Sequence, residues 1–314
     1  MGKKTKLGLK LFGAAIASTI VGFGIGGYAS FIAGMKNSEK AKQKAIKKTE
    51  EVDNNEFDLE WFKDKKPETI KMLSDDGLQL EASFIRQPNP NGRTVILAHG
   101  YHHARRQMIP YAKIFYNLGY NVLMPDARSH GESEGSLIGF GWLDRRDYIR
   151  WVQRAVLLTQ PSEKIVLLGI SMGAATVIAT SGEADLPKNV KAVIEDSSFS
   201  QLDDQFRYRI ASHYHLPARE LEPIVSYLTK LEGGYSFKEA NIAEQIAKTK
   251  VPILFIHGDQ DDYVPIEMLD ELVEAANVPC EVYIAEGAGH VQSIVVDPER
   301  YQKEISNFLQ KYVD

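Results

Sequence analysis

Gly169-Ile170-Ser171-Met172-Gly173 is the stretch on which the reading of this chain turns. Before it runs Lys164-Ile165-Val166-Leu167-Leu168, and after it Ala174-Ala175-Thr176-Val177-Ile178-Ala179. A run that is apolar at consecutive rather than alternate positions predicts a strand buried on both faces, as in a parallel sheet. The small residues that follow predict a helix able to pack closely. A serine with a glycine two residues to either side, at a strand-to-helix junction, predicts a very sharp turn in which Gly169 and Gly173 have almost no room for a side chain. The serine takes a strained backbone conformation that lifts its hydroxyl clear of the sheet.

Outward from this turn the alternation of strand and helix continues. Thr69–Leu73 and Leu78–Phe84 read as strands around the turn Asp75-Asp76-Gly77, a hairpin signal. Thr94–His99, Tyr120–Pro125, Val190–Glu195, Val251–His257 and Glu281–Ala285 read as further strands. Helices are expected over Gln107–Leu118 and Trp142–Leu158, the first stopping at Gly119. The pattern predicts an α/β fold with a mostly parallel, doubly wound sheet, beginning near Lys66 and running to Asp314. Between Phe199 and Lys248 the alternation breaks into helical texture, with Phe206, Tyr208, Tyr214, Tyr227 and Tyr235 among charged residues. An insertion there, at about 199–248, reads as a helical cap over the carboxyl ends of the strands, where ligands bind in such sheets.

A serine hydroxyl is a poor nucleophile until a base takes its proton, and the base needs an acid to hold its tautomer. Of the histidines downstream of Ser171, His290 follows the last strand in Gly287-Ala288-Gly289-His290 and sits at the right sheet edge. His257 closes its own strand and reads as structural; His213 and His215 fall in the cap. The loop His257–Pro265 offers Asp259, Asp261 and Asp262 as the acid, and Asp196 at the end of an earlier strand is a fourth candidate. A tetrahedral intermediate needs two backbone donors. The N–H of Met172, next after the serine, and that of Tyr101 are expected to supply them, with Gly100 allowing close approach. His99, His102 and His103 have no acidic or cysteine partner at ligand spacing, so neither a metal nor another cofactor is expected.

Several motifs together resemble the α/β-hydrolase superfamily, in particular its serine-aminopeptidase-like branch and bacterial members carrying an N-terminal membrane anchor. They are His99-Gly100, Asp126–Ser133 (family form D-x-R-G-H-G-x-S), the Gly169–Gly173 turn, H-G-x-x-D-x-x-V-P at His257–Pro265, and Gly289-His290. The chain departs from the family form at Ser129, where glycine is usual, and lacks the H-G-G-G oxyanion loop of some lipases. The resemblance implies a Ser171, Asp261, His290 triad working through an acyl-enzyme. It places the acid four residues after His257, while Asp259 is expected to serve the turn and Asp262 to face solvent. Family activities span carboxylesters, acylglycerols, thioesters and peptides. A carboxylesterase on small or medium acyl esters is the leading expectation, and a serine aminopeptidase using Asp203, Asp204, Glu220 and Glu222 to hold an ammonium is the alternative. A hydrolase fold used only as a surface binding module is a third reading, against which every triad and oxyanion position is filled.

Charge and hydropathy concern the other end of the chain. The net charge of −5 over 314 residues hides a basic head, since residues 1–48 carry ten Lys against one Glu, so the remainder is strongly acidic and an unlikely partner for nucleic acid. Leu11–Met35 contains no charged residue and is long enough to span a bilayer as a single-pass anchor. A basic tail, residues 1–10, precedes it, and a charged linker, residues 36–65, follows. Lysines on both flanks leave the positive-inside rule undecided; an inside N-terminus with the hydrolase domain outside the cell is expected. Gly22-x-Gly24-x-x-Gly27 matches a dinucleotide fingerprint by letter but lies within the apolar run, with no βαβ unit around it. The single cysteine, Cys280, excludes an intrachain disulfide.

Overall fold

Strands whose every side chain is apolar must be covered on both faces, and the fold follows from that requirement. The computed structural model describes residues 22–48 and 56–313. Its strands are β1 (Glu68–Leu73), β2 (Gln79–Ile85), β3 (Arg93–Ala98), β4 (Asn121–Pro125), β5 (Lys164–Ile170), β6 (Val190–Asp196), β7 (Ile253–Gly258) and β8 (Cys280–Ala285). They form one eight-stranded sheet in the order β1-β2-β4-β3-β5-β6-β7-β8. β2 runs antiparallel to both β1 and β4, and the remaining pairs are parallel. Every strand expected from the sequence is present, within two residues at each end.

The helices in chain order are α1 (described over residues 22–35), α2 (Glu39–Lys48), α3 (Glu56–Asp64), α4 (Ile109–Asn117), α5 (Asp144–Leu158), α6 (Met172–Ser181), α7 (Leu202–Ser212), α8 (Ala218–Gly233), α9 (Ile242–Ile246), α10 (Glu267–Ala275), α11 (Ser293–Val296) and α12 (Pro298–Tyr312). Alternate strand residues serve opposite layers. Val95, Leu97, Val166, Leu168 and Ile194 pack with α4 and α12, whereas Ile96, Ala98, Leu167, Val193 and Phe255 pack with α5, α6, α9 and α10. The helix expected over Gln107–Leu118 starts as a 3₁₀ turn, Arg105–Met108, before α4.

The insertion at about 199–248 contains no strand of the sheet, and its two halves pack differently. α7 and α8 lie together as a helix pair, while the stretch after them turns inward. Phe237, Ile242 and Ile246 are fully buried in the same core cluster as α6, so the apolar end of the insertion completes the central layer.

The N-terminal run is described only in its later part, and that part packs on the body. Residues 11–21 of the apolar run Leu11–Met35 lie outside the described residues, and among the described residues no helix is long and apolar enough to cross a membrane. The later part of the run is α1, and it is built into the body. Phe31 and Met35 are buried in the main core, the Ile138 N–H donates to the Met35 carbonyl at 2.8 Å, and the Tyr101 hydroxyl donates to the Gly34 carbonyl at 2.7 Å. Nor do the described parts of 36–65 hang free as a linker. The Asn37 amide donates to the Ser129 carbonyl, and Lys42 is buried because its ammonium reaches the Ser133 carbonyl and the Glu39 carboxylate. Phe62 in α3 docks on the body, buried against the α4 layer, as an aromatic in a polar segment can. Local polarity pointed to solvent; tertiary carbonyl partners took these side chains in instead.

Met35→Ala removes a fully buried side chain and is expected to cost about 2–5 kcal/mol in the unfolding of the full-length protein by urea. A loss below about 0.5 kcal/mol, the range of ordinary surface changes, would show that α1 is not part of the core.

Candidate active site

β5 ends at Ile170 and α6 begins at Met172, so the whole change of direction falls on Ser171. Its backbone sits at φ 53°, ψ −120°, a combination that side chains rarely adopt and that costs on the order of 1–3 kcal/mol. The surroundings hold it there. The Ser171 N–H donates to the Asp196 carbonyl at 2.8 Å, and its own carbonyl accepts from Ala175 N–H at 3.1 Å. A β-carbon on Gly169 would lie 2.1 Å from the Gly173 carbonyl oxygen, and one on Gly173 would lie 2.1 Å from that of Ala98. The two glycines are therefore required by backbone contact, as their spacing suggested.

His290 arrives on the loop between β8 and α11. Its Nε2 lies 2.8 Å from Ser171 Oγ and its Nδ1 lies 2.8 Å from Asp261 Oδ2. An ionised carboxylate can only accept, so Nδ1 carries the proton and Nε2 is left to accept from the serine hydroxyl. Asp261 is fixed through its other oxygen, Oδ1, which accepts from the N–H groups of Tyr263 and Val264 at 2.9 and 2.8 Å. Burial pushes the Asp261 carboxyl up, but the hydrogen bond from His290, its nearby charge and the Val264 N–H outweigh burial and leave it below its ordinary value.

The other acids are occupied elsewhere. Asp259 accepts from Gly287 N–H at 2.7 Å, so it ties its loop to the one after β8 in addition to any part in its own turn, and Asp262 is exposed. Asp196 accepts from the hydroxyls of Ser197 and Tyr301, and burial pushes its carboxyl up to about 6. It supports the turn through its backbone carbonyl and makes no hydrogen bond to His290. His257 is buried, with Nε2 3.0 Å from the Val264 carbonyl, so it braces the loop that carries Asp261.

Gly100 and Tyr101 stand over the serine, since a β-carbon on Gly100 would be 3.6 Å from Ser171 Cβ. Gln107 holds this loop by accepting from Gly100 N–H at 2.9 Å. His99 also holds it: its Nδ1 lies 2.8 Å from the Gly100 carbonyl, and its Nε2 accepts from Ala127 N–H at 3.0 Å. Burial pushes His99 toward the neutral form, and both ring nitrogens are engaged, which leaves no lone pair for a metal. Met172 N–H is the first of α6, a helix-start donor without a partner four residues back. Among the described residues no group of three His, Cys, Asp or Glu side chains is arranged to hold a metal.

Ser129 adopts φ 64°, so the loop keeps a glycine-like conformation despite the departure from the family form. Its hydroxyl offsets the strain by donating to the Leu137 carbonyl at 2.7 Å.

Two cavities meet at Ser171. One, of about 610 Å³, is lined by His102, His103, Gln107, Tyr111 and His290 among others. The other, of about 260 Å³, is mainly apolar, lined by Phe199, Leu202, Phe206, Ile210 and Leu216 from the insertion and by Ser30, Ala33 and Gly34 from α1. Sequence reasoning missed Gln107 and the α1 residues. It also missed a stack in which Tyr263 lies against His290 (centroids 4.6 Å, planes 20° apart) with the Arg209 guanidinium 3.6 Å from the centre of the Tyr263 ring. None of these carries a motif, and each reaches the site only by folding. Of the acids considered for an ammonium, Asp203, Asp204 and Glu222 pair with Arg207 at 3.5, 3.1 and 3.0 Å, and none of the four lines either cavity.

The sequence pattern of the Alpha/beta hydrolase family matches residues 95–303. Uncharacterized protein YqkD of Bacillus subtilis (strain 168) is 31% identical over 276 residues, covering 88% of this chain and 89% of its own. Uncharacterized protein YfhR of Escherichia coli (strain K12) is 28% identical over 232 residues, covering 72% and 74%. Among solved structures, the Pyrococcus furiosus esterase Pf2001 superposes with a TM-score of 0.64 at 25% identity, over 80% of this chain and 93% of its own.

Gly173→Ala should force Ala98 and Gly173 apart at a contact with no flexible side chain to give way. We expect a melting temperature lower by at least about 4 °C, the scale of an overpacked core. A melting curve that superposes on the wild type would mean that the turn can open.

Proposed function

Because the chain belongs to the Alpha/beta hydrolase family, we propose that it is a serine hydrolase, most simply a carboxylesterase. The observation that carries this reading is the unbroken run of two 2.8 Å contacts from Ser171 Oγ through His290 to Asp261. His290 Nε2 takes the hydroxyl proton as Ser171 Oγ bonds to the acyl carbon. The resulting oxyanion accepts from the N–H groups of Tyr101 and Met172. The imidazolium returns its proton to the departing alcohol oxygen as that C–O bond breaks, leaving an acyl-serine. Water, deprotonated by the same nitrogen, releases the acid and restores the serine. Asp261 stays ionised throughout and stabilises the imidazolium. An ester reading is favoured over an aminopeptidase by the apolar cavity beside Ser171 and by Arg207, which is already paired with three of the acids that an ammonium would need, none of which lines either cavity. The likeness to an esterase from Pyrococcus furiosus points the same way.

The reading includes attachment to the cell membrane through the part of the uncharged run, from Leu11 onward, that precedes the buried Phe31, with the N-terminus inside and the hydrolase domain outside. Digesting intact cells with protease should then remove the domain, and complete protection would put it on the cytoplasmic side.

Ser171→Ala should fold normally and lower kcat by a factor on the order of 10³ or more, with loss of fluorophosphonate labelling. Residual activity above about a tenth of wild type would rule out the serine as nucleophile. Asp261→Asn should cost about 10⁴ in kcat by reversing the imidazole tautomer, whereas Asp259→Asn and Asp262→Asn should each cost less than about tenfold. A crippling Asp196→Asn beside a mild Asp261→Asn would move the acid to the end of β6.

A further inference from the structure

α1 presents apolar residues on two sides. One face is buried: Phe31 and Met35 sit in the core, and a β-carbon on Gly27 would run into Ile224 of α8. On the other side Ile25, Tyr28 and Ile32, spaced three and four residues apart as one helical stripe, are exposed, Ile25 by 67% and Tyr28 by 58%. Ser30, Ala33 and Gly34 line the apolar cavity at Ser171, and Ala33 is itself exposed, which puts it at the mouth. Tyr214 and Leu216, on the turn after α7, line the same cavity and are also exposed, Tyr214 by 60%. The cavity therefore opens through a rim of exposed apolar side chains instead of the polar rim expected of a site that faces water.

The sequence says what meets that rim. N-terminal to residue 22 the uncharged run continues back to Leu11, preceded by Lys3, Lys4, Lys6 and Lys10. The exposed stripe of α1 thus continues a segment whose composition suits hydrocarbon, and the cavity mouth lies on the flank of that same helix. We propose that the mouth opens onto a lipid bilayer, and that the cavity takes the acyl chain of a membrane-partitioned ester, drawn from the lipid past Ala33, Tyr214 and Leu216 to Ser171. This rests on the serine-hydrolase reading and narrows its substrate class from soluble esters to long-chain acyl esters held in a membrane. α1 then has two tasks: it leads toward the bilayer and it walls the acyl cavity.

The test compares p-nitrophenyl palmitate embedded in phosphatidylcholine vesicles with p-nitrophenyl acetate in solution, using full-length protein reconstituted into those vesicles. The paired change Tyr28→Ser and Ile32→Ser alters the stripe outside the cavity. It should lower palmitate hydrolysis at least tenfold while acetate hydrolysis stays within threefold. Ala33→Trp narrows the mouth and should lower the palmitate-to-acetate ratio at least tenfold, with Ser171 still labelled by a fluorophosphonate as evidence of a folded site. An unchanged palmitate rate in the stripe variant, or an unchanged ratio in Ala33→Trp, overturns the proposal. If wild type is labelled at Ser171 and cleaves acetate but not palmitate in vesicles, the bilayer substrate is wrong and the hydrolase reading stands. If Ser171 is not labelled and neither ester is cleaved, both fall together.

Discussion

At the turn around Ser171 three backbone segments meet with no side chain between them. The Ala98 carbonyl, at the end of β3, and the Gly173 carbonyl, in the first turn of α6, each lie where a β-carbon on Gly173 or Gly169 would have to go. This contact fixes the start of α6 against two neighbouring strands and leaves Ser171 a single, strained conformation. It also places the first amide of α6 directly after the serine. The loop after β3, carrying Gly100 and Tyr101, is brought over Ser171 by the same closeness. The proposed nucleophile, Ser171, and the proposed oxyanion donors thus share one constraint, and loosening it would move them together.

His290 and Asp261, the proposed base and acid, depend on a second layer of contacts, several of them from α7. α7 holds the loop after β7 at three points: Gln205 donates to the Tyr263 carbonyl at 3.0 Å, Tyr208 donates to the Asp262 carbonyl at 3.1 Å, and Arg209 stacks on Tyr263. Tyr263 in turn lies flat against His290. The loop that carries Asp261 is thereby pinned from the solvent side by α7 and from the inside by His257. α7, joined in this way to the imidazole, does more than line the cavity, because its position bears on the alignment of His290.

The stretch Asp126–Ser133 supports the site from below. Asp126 accepts from the N–H groups of Arg105 and Glu132 at 2.7 and 2.9 Å, tying the loop after β4 to the turn that precedes α4. Arg128 is buried and bonds both oxygens of Asp147 in α5, a pairing that offsets part of the cost of taking two charges out of water; burial still pushes the Asp147 carboxyl up to about 6. His130 accepts from His102 N–H at 3.3 Å, next to the oxyanion loop. The same loop gives Ser129 and Ser133 carbonyls to Asn37 and Lys42, which is how the N-terminal segment comes to be held against the body.

What the sequence by itself determined was whatever rests on local spacing and periodicity. Consecutive apolar residues in β3 to β7 demanded a two-faced core, and glycines two residues either side of Ser171 demanded the sharp turn. The order serine, acidic loop, histidine located the candidate triad, although choosing Asp261 over its neighbours leaned on the family form. Tertiary structure decided what depends on partners distant in the chain. Phe31 and Met35 read as lipid-facing because an apolar residue suits a bilayer and a protein core equally; the neighbouring elements turned them inward. Lys42 read as a solvated charge until the Ser133 carbonyl, 91 residues away, was there to receive it. The stack of Arg209, Tyr263 and His290 joins the cap, the acid loop and the loop after β8, and nothing in the spacing of those residues could show it. Period and spacing report on a residue's own element, whereas burial and pairing are set by whichever surface the fold brings opposite it.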